Sequence, residues 1–573
     1  MMRNAPFVSS AVVLSLLLFT AFYAAHFYLL TATGQPFALE SPFKSVPYAI
    51  SWSETHPQHF VKWSLVLAAG IGASFLMFGI MFYRLRANKP VLDMHGTARF
   101  AKAAEVEKMS LLDGKGVFVG GFKGKYLRHD GGEHIQIAAP TRSGKGVSVV
   151  VPTLLTWNES ALITDIKGEL WELTSGWRQT YGNNKCYKLD FGDVNSSRFN
   201  PLDTVGVGSE REISDIQNIA SMLVDPDGKG LDGRDGHWRK AAHALISGLI
   251  AYAINTKEGE VGANLNDVAL LMTPSDREFS DVIDEMVEWE STKVSDGLVE
   301  YVKSAGRQHA ARAGEEAASV LSTAANYLIL YRDPLVSAST SESDFDVMDL
   351  VNGDKPVSLY LSVKPSDKTR LMPVIRLTIT VILRMLTKDL DYEDGRAVSA
   401  YKRRLLLMLD EFPALGRLDV MTDTLPYMSS YGLKAMIIIQ DYNQLWDIYG
   451  KNESLSANCH IRSVFAPNTF ETARVISSMT GSKTVVKREK QGATKVQMLA
   501  PLDDKYNEVS RPLMTPEEVM RLKTAEKNGN TVVSGGELLI FVAGNHVIKG
   551  TQPLYFHDEY LLKRANCGSA QNN

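Results

Sequence analysis

The stretch HIQIAAPTRSGKGVSVVVPTLL, residues 134–155, constrains this chain more than any other. It predicts a short strand over 135–139, a loop of small residues, and then a helix. The loop reads Thr141-Arg142-Ser143-Gly144-Lys145-Gly146-Val147. Small residues let backbone N–H groups close around a phosphate. A lysine reaches the outer phosphate oxygens, and the helix N-terminus behind it favours negative charge. The usual spacing for such a loop is G-x-x-x-x-G-K-[ST]. Two positions depart from it: Ala139 stands at the first glycine, and Gly146 stands where a hydroxyl would meet Mg²⁺. The competing reading is a glycine-rich turn beside an exposed lysine.

A second stretch decides between the two. Leu405-Leu406-Leu407-Met408-Leu409 is followed by Asp410-Glu411. An apolar run ending in two acids predicts a central parallel strand with carboxylates at its C-terminal end. Asp410 is placed to hold Mg²⁺ through water, and Glu411 to orient or deprotonate an attacking water. Phosphoryl transfer needs both jobs. A third strand, 435–439, ends in Gln440, where an amide senses a γ-phosphate or holds the water; the alternative is a cap on the next helix. Strand 161–166 ends in Asp165, with Lys167 and Glu169 just beyond. These are further candidates on the ligand side of an α/β sheet, or else the cap and first-turn acids of a helix.

Other strands are expected at 186–191, 356–363, 461–466 and 538–543, and helices at 368–387 and 442–449. Between 207 and 340 the pattern changes to helical periodicity at 212–223, 237–254, 276–304 and 310–331, with no convincing strand. This predicts an all-helical insertion in an α/β domain. Residues 93–128 read as a mixed, glycine-rich entry into it. The run VVKREKQGATK, 485–495, is basic and reads as a channel-lining segment or, more commonly, a solvated hairpin. The polar end, 565–573, reads as a flexible tail.

Residues 7–30 and 63–82 are apolar and long enough to span a bilayer. Arg3 precedes the first run, and Arg84, Arg86 and Lys89 follow the second. The positive-inside rule then puts both ends in the cytoplasm and the intervening loop on the far side. A cleaved signal peptide is the alternative for the first run, but it is long for one and lacks a clear cleavage site. Gly70, Gly72, Ala73 and Gly79 read as ordinary membrane-helix composition rather than a packing motif.

At 573 residues the chain exceeds a single ordinary core. The expected division is a membrane region at 1–90, a nucleotide-binding domain in two parts at 91–206 and 341–564, the helical domain at 207–340, and the tail. A net charge of −4 argues against a general nucleic-acid coat and leaves room for local grips. Cys186, Cys459 and Cys567 form no C-x-x-C pair, so neither a disulfide framework nor a zinc pattern is expected. The histidines show no metal-binding spacing.

The motifs APTRSGKG, ITDIKGEL, FNPL, LDEFPALG and IIIQDYNQL occur in this order behind two apolar segments. Together they resemble the type IV coupling proteins, the TraG/TraD-type ATPases of bacterial conjugation and type IV secretion, over residues 90–560. The resemblance implies a RecA-like core with an all-α domain, a homohexameric ring on the inner membrane, and ATP with Mg²⁺. The partners it implies are relaxase-bound DNA, effector proteins and other subunits of the secretion channel. Lys145 would be the loop lysine, Asp410 and Glu411 the second acidic motif, and Gln440 the sensor. Gly146 is tolerated in the family; Ser148, Thr141 or water would then serve Mg²⁺. Ser429-Ser430-Tyr431-Gly432 stands where some members carry an arginine finger. Arg462, Arg474 and Lys434 are the alternatives for that role. Two other classes compete: a DNA translocase of the FtsK/HerA sort, and a receptor that binds nucleotide without turnover.

Overall fold

The computed structural model describes residues 5–36, 41–87, 94–226, 228, 230, 236–259, 261–388, 391–393, 396–398, 401–489, 505–529 and 531–571. They fall into two compact units, Met1–Gly96 with Thr484–Ser510, and Thr97–Lys483 with Arg511–Asn573.

In the first unit, helices Ala5–Thr33 and Pro57–Ala87 cover the two apolar runs. Each contains a segment long and apolar enough to cross a membrane, Leu14–Thr33 and Pro57–Ile80. Where these helices cross, a Cβ on Gly70 would come within 2.7 Å of the Ala21 Cβ, and Ser74 donates to the Leu17 carbonyl across the pair. Gly70 is therefore a close-approach glycine, whereas Gly72 and Gly79 face open space. The connection expected as a plain loop holds a further helix, Ser45–Thr55.

The second unit is organised by an eleven-stranded sheet. Its strands in chain order are β1 (Val117–Phe122), β2 (Lys125–His129), β3 (His134–Ala138), β4 (Ser160–Asp165), β5 (Lys185–Leu189), β6 (Val357–Ser362), β7 (Leu405–Leu409), β8 (Leu433–Ile439), β9 (Cys459–Val464), β10 (Glu537–Val542) and β11 (Ile548–Thr551). Their order in space is β2-β1-β11-β10-β9-β3-β8-β7-β4-β6-β5. From β9 to β5 every neighbour is parallel. From β9 through β10, β11 and β1 to β2 every neighbour is antiparallel. The mixed segment 93–128 thus contains a hairpin that extends the sheet. β8 lies between the loop-bearing strand β3 and the acid-bearing strand β7. This is a RecA-like α/β core, and it places three strand ends side by side.

The central strands are apolar on both faces, which is why they read as continuous runs. Leu405, Leu407, Leu409, Leu433, Ala435, Ile437 and Ile439 join one buried cluster, and Leu406, Met408, Met436 and Ile438 join the other. The first cluster is completed by Lys368–Leu386 and by helices inserted after β5. Those run Glu212–Val224, Gly236–Thr256, Leu265–Met272, Phe279–Glu288, Asp296–Ala310 and Gly314–Leu328. The single long helix expected at 276–304 is two. Ser295 caps the second by accepting from the Leu298 N–H, which fixes a new start. Leu265–Met272 escaped the periodicity reading because it is short; its signal was the Asn264/Asp267 capping box.

Residues 566–571 also depart from expectation. The Ala570 N–H donates to Ser175 Oγ, and Gln571 bonds in both directions with Gln179, so this segment lies along helix Glu169–Thr180. Strands Ser482–Glu489 and Lys505–Pro512 pair with each other. The rest of the basic run, 490–495, lies outside the described residues.

Candidate nucleotide-binding site

The site forms where β3, β8 and β7 end together. β3 leads into Ala139, whose N–H donates to the Ile439 carbonyl at the end of β8. Ala139 is not among the positive-φ residues, so the missing first glycine costs nothing here. The tight turn falls instead on Arg142 (φ 60°) and Gly144 (φ 92°). Ser148 donates back to the Gly144 carbonyl at 2.8 Å and closes the first turn. Residues 146–150 form a widened turn in which the Val151 N–H reaches the Gly146 carbonyl. Pro152 explains the widening: it has no N–H for the Ser148 carbonyl and its ring crowds that turn.

Lys145 Nζ lies 2.9 Å from Asp410 Oδ1 and 4.0 Å from Glu411 Oε1. Gln440 Nε2 donates to Glu411 Oε1 at 2.6 Å, and Thr141 Oγ1 donates to Gln440 Oε1 at 3.0 Å. One polar chain therefore runs Thr141–Gln440–Glu411–Lys145–Asp410 and ties the loop to the ends of β8 and β7. Glu411 adopts a left-handed backbone (φ 53°, ψ 47°), which turns its carboxylate toward Gln440 at a cost of about 1 kcal/mol or more. The Asp410 carbonyl accepts from Thr164 Oγ1 on β4, which steadies the turn.

Ser143 Oγ and Gln552 Oε1 are buried around the loop with no hydrogen-bond partner among the described residues, and Lys145 Nζ and Asp410 Oδ1 are buried against each other as an ion pair. Their clustering marks a place built for a polar ligand. Gln552 was not foreseen. It follows β11, is buried, and a Cβ on Gly144 would lie 3.2 Å from its Oε1. No sequence signal marked it, because only the antiparallel flank brings that strand end to the loop.

The remaining candidates go elsewhere. Ser148 is fully buried with its hydroxyl proton on Gly144, an arrangement that does not present it to a metal. Asp165 is buried and accepts from the Trp171 N–H in the first turn of helix Glu169–Thr180. Burial raises its pKa, the backbone donors lower it, and the Asp410 charge raises it further. Lys167 is exposed on the turn after it, and Glu169 is exposed at the start of that helix. Lys434 is buried at the opposite strand end and donates to the carbonyls of His129 and Gly131, so it is not a residue that acts across a subunit boundary. Arg462 turns inward to the carbonyls of Ser456 and Cys459. Arg474 stays exposed, over the Phe470 ring and beside Glu471.

The model of the family described as type IV secretory system conjugative DNA transfer matches residues 95–572. The chain belongs to that family, the type IV coupling proteins. The conjugal transfer protein TraG of Escherichia coli is 40% identical over 561 residues, covering 92% of this chain and 86% of the relative. VirD4 of Agrobacterium fabrum is 29% identical, covering 82% and 67%. Among solved structures, the coupling protein TrwB in complex with ADP and Mg²⁺ superposes with a TM-score of 0.56 at 18% identity, covering 82% of this chain and 96% of that one. TrwB with the ATP analogue ADPNP gives 0.57 at 17% identity, with the same coverage. At that identity the likeness is one of fold, and the fold is that of a coupling protein.

Proposed function

We propose that this chain is a membrane-anchored ATPase that recruits relaxase-bound DNA, and secreted proteins where present, and passes them to a type IV secretion channel by hydrolysing ATP. The observation that carries the reading is the meeting of Lys145, Asp410, Glu411 and Gln440 at three adjacent strand ends. A receptor that only bound nucleotide would have no use for a carboxylate held by an amide beside the phosphate lysine. The relatives named for conjugal transfer and the TrwB complexes with ADP and ADPNP support the same direction.

The loop amides from Ser143 to Val147 and the Lys145 ammonium would hold the β- and γ-phosphates, in place of the Lys145–Asp410 contact. The Glu411 carboxylate, fixed by Gln440, orients the attacking water and takes its proton. Gln440, held in turn by Thr141, links the γ-phosphate position to that carboxylate.

The residues also fit Mg²⁺. No group of three acidic, histidine or cysteine ligands occurs among the described residues, so an all-protein cage is absent there. Asp410 presents a buried carboxylate whose Oδ1 is held by Lys145, and a lysine drawn to the phosphates would release that oxygen to Mg²⁺, which commonly takes one or two carboxylates with waters and phosphate oxygens. When bound, the ion neutralises charge on the transferred phosphoryl group. Hexamer assembly would bring an exposed cation to a neighbouring site, and Arg474 is the candidate whose side chain remains exposed. Helices Ala5–Thr33 and Pro57–Ala87 would anchor the protein in the inner membrane with the loop between them outside.

The test is ATP hydrolysis by the full-length protein in detergent, with and without single-stranded DNA. The expected result is hydrolysis that DNA stimulates and that Lys145→Ala removes. Hydrolysis indifferent to DNA would turn the reading toward protein cargo alone.

A further inference from the structure

A polar cavity lies at the opposite end of the central strands from the phosphate loop. It has a volume of about 350 Å³ and is lined by Lys115, Arg128, Arg404 and Arg564 against two acids, Asp130 and Glu159. Asp130 precedes β3, Glu159 precedes β4 and Arg404 precedes β7, so the cavity sits where the parallel strands begin. The phosphate loop sits where they end, roughly 16 Å away for five-residue strands.

The arginines are fixed by aromatic rings. Arg404 lies 4.9 Å from the Trp157 ring centroid, and Arg564 lies 3.8 Å from Tyr560 and 4.1 Å from Trp177. Arg128 is anchored to the carbonyls of Gly114 and Gly116 and to Thr156 Oγ1. Arg404 bonds to Asp130 through its carbonyl and one carboxylate oxygen, and Arg564 donates to the Leu155 carbonyl. A guanidinium has five N–H donors. Arg404 and Arg564 therefore keep N–H groups beyond these bonds, and both line the cavity beside the exposed Lys115. Tyr560 is 59% exposed, which leaves ring surface for a planar group.

Four cations against two acids, with aromatic surface between them, suit phosphates linked to stackable bases. Arginine and aromatic side chains interleaved in this way are how proteins grip single strands without reading their sequence. We propose that this cavity binds the phosphodiester backbone of single-stranded nucleic acid. This rests on the DNA-transport reading above and adds the place of contact. It also reconciles an acidic chain with a nucleic-acid cargo, since the grip is local.

The test uses the full-length protein in detergent and a fluorescein-labelled oligothymidylate titrated across salt concentrations. Lys115→Gln carries it, because Lys115 is exposed and its loss leaves the fold intact; Lys115→Gln/Arg404→Gln is the second variant. Each lost phosphate contact flattens the slope of log affinity against log salt by about 0.7 for single strands. The expected flattening is thus about 0.7 for the single and about 1.4 for the double variant, with ATP hydrolysis in the absence of DNA retained. A wild-type slope in both variants overturns the proposal and leaves DNA transport standing. No binding by the wild type overturns both. Loss of binding to phosphatidylglycerol vesicles with unchanged oligonucleotide binding assigns the cavity to a lipid headgroup and overturns it as well.

Discussion

At the scale of single residues, the two departures of the phosphate loop have different physical meanings. Ala139 fills a position that needs no left-handed backbone. Gly146 is a true omission: a Cβ there would meet nothing within 4 Å. Gly146→Thr is therefore expected to fold normally and to lower, severalfold, the Mg²⁺ concentration for half-maximal hydrolysis. An unchanged Mg²⁺ dependence would mean that Asp410 and water already complete the coordination. Lys434 offers a second residue-level test. Its burial pushes its pKa down to about 7 from an ordinary 10.5, Arg404 adds to the fall, and Glu133 and Asp130 oppose it. Below pH 7 folded and unfolded chains both hold the proton. Between 7 and 10.5 only the unfolded chain does, so this lysine makes stability rise with pH in that window. Relative to Lys434→Met, the stability of the wild type is expected to climb by about 1.4 kcal/mol per pH unit from pH 7 to 10 and to be flat below. Unfolding midpoints that track each other across the window would show the lysine charged in the fold.

At the scale of elements, helix Glu169–Thr180 fastens the end of the loop-bearing helical segment to the sheet. Arg178 is fully buried and donates to the carbonyls of Leu154, Trp157 and Glu159, to Ser358 Oγ and to Asn184 Oδ1. Burial lowers its pKa, and hydrogen bonds to carbonyls compensate its charge in place of a carboxylate. Arg178→Met would strand three carbonyls, each at about 1–3 kcal/mol. A fall in thermal midpoint of several degrees with weaker nucleotide binding is expected, and a neutral result would mean that water replaces the guanidinium. The central strands were legible in the sequence because Leu405–Leu409 and Leu433–Ile439 are buried on both faces and end in functional polar residues. The inserted helices were legible as a class but not in their joints, which depend on caps such as Ser295 and Asn264. β11 and the hairpin of β1 and β2 were not legible. Those strands are short, β1 and β11 are interrupted by glycine, and pairing with the sheet rather than local pattern makes them strands. The same holds at the site: Asp410, Glu411 and Gln440 follow apolar strands and Lys145 sits between the glycines of a loop, whereas Gln552 is brought in by tertiary structure alone.

At the scale of the whole molecule, the chain has an apolar N-terminal region, a RecA-like sheet, and a helical region without described strands between residues 207 and 340. A net charge of −4 fits a machine that holds polyanions at chosen places rather than everywhere. The proposed nucleotide and cargo sites lie at opposite strand ends, nucleotide where β3, β7 and β8 finish and cargo where β3, β4 and β7 start. The motor reading depends on the central claim that Glu411 is a positioned base beside a phosphate-binding Lys145. The most direct measurement is paired nucleotide binding and turnover in Lys145→Ala and Glu411→Gln. Lys145→Ala is expected to lose binding and turnover. Glu411→Gln is expected to bind ATP as the wild type does while its turnover falls about 10²–10⁴-fold, the usual contribution of general base catalysis. Turnover in Glu411→Gln equal to that of the wild type would contradict the account.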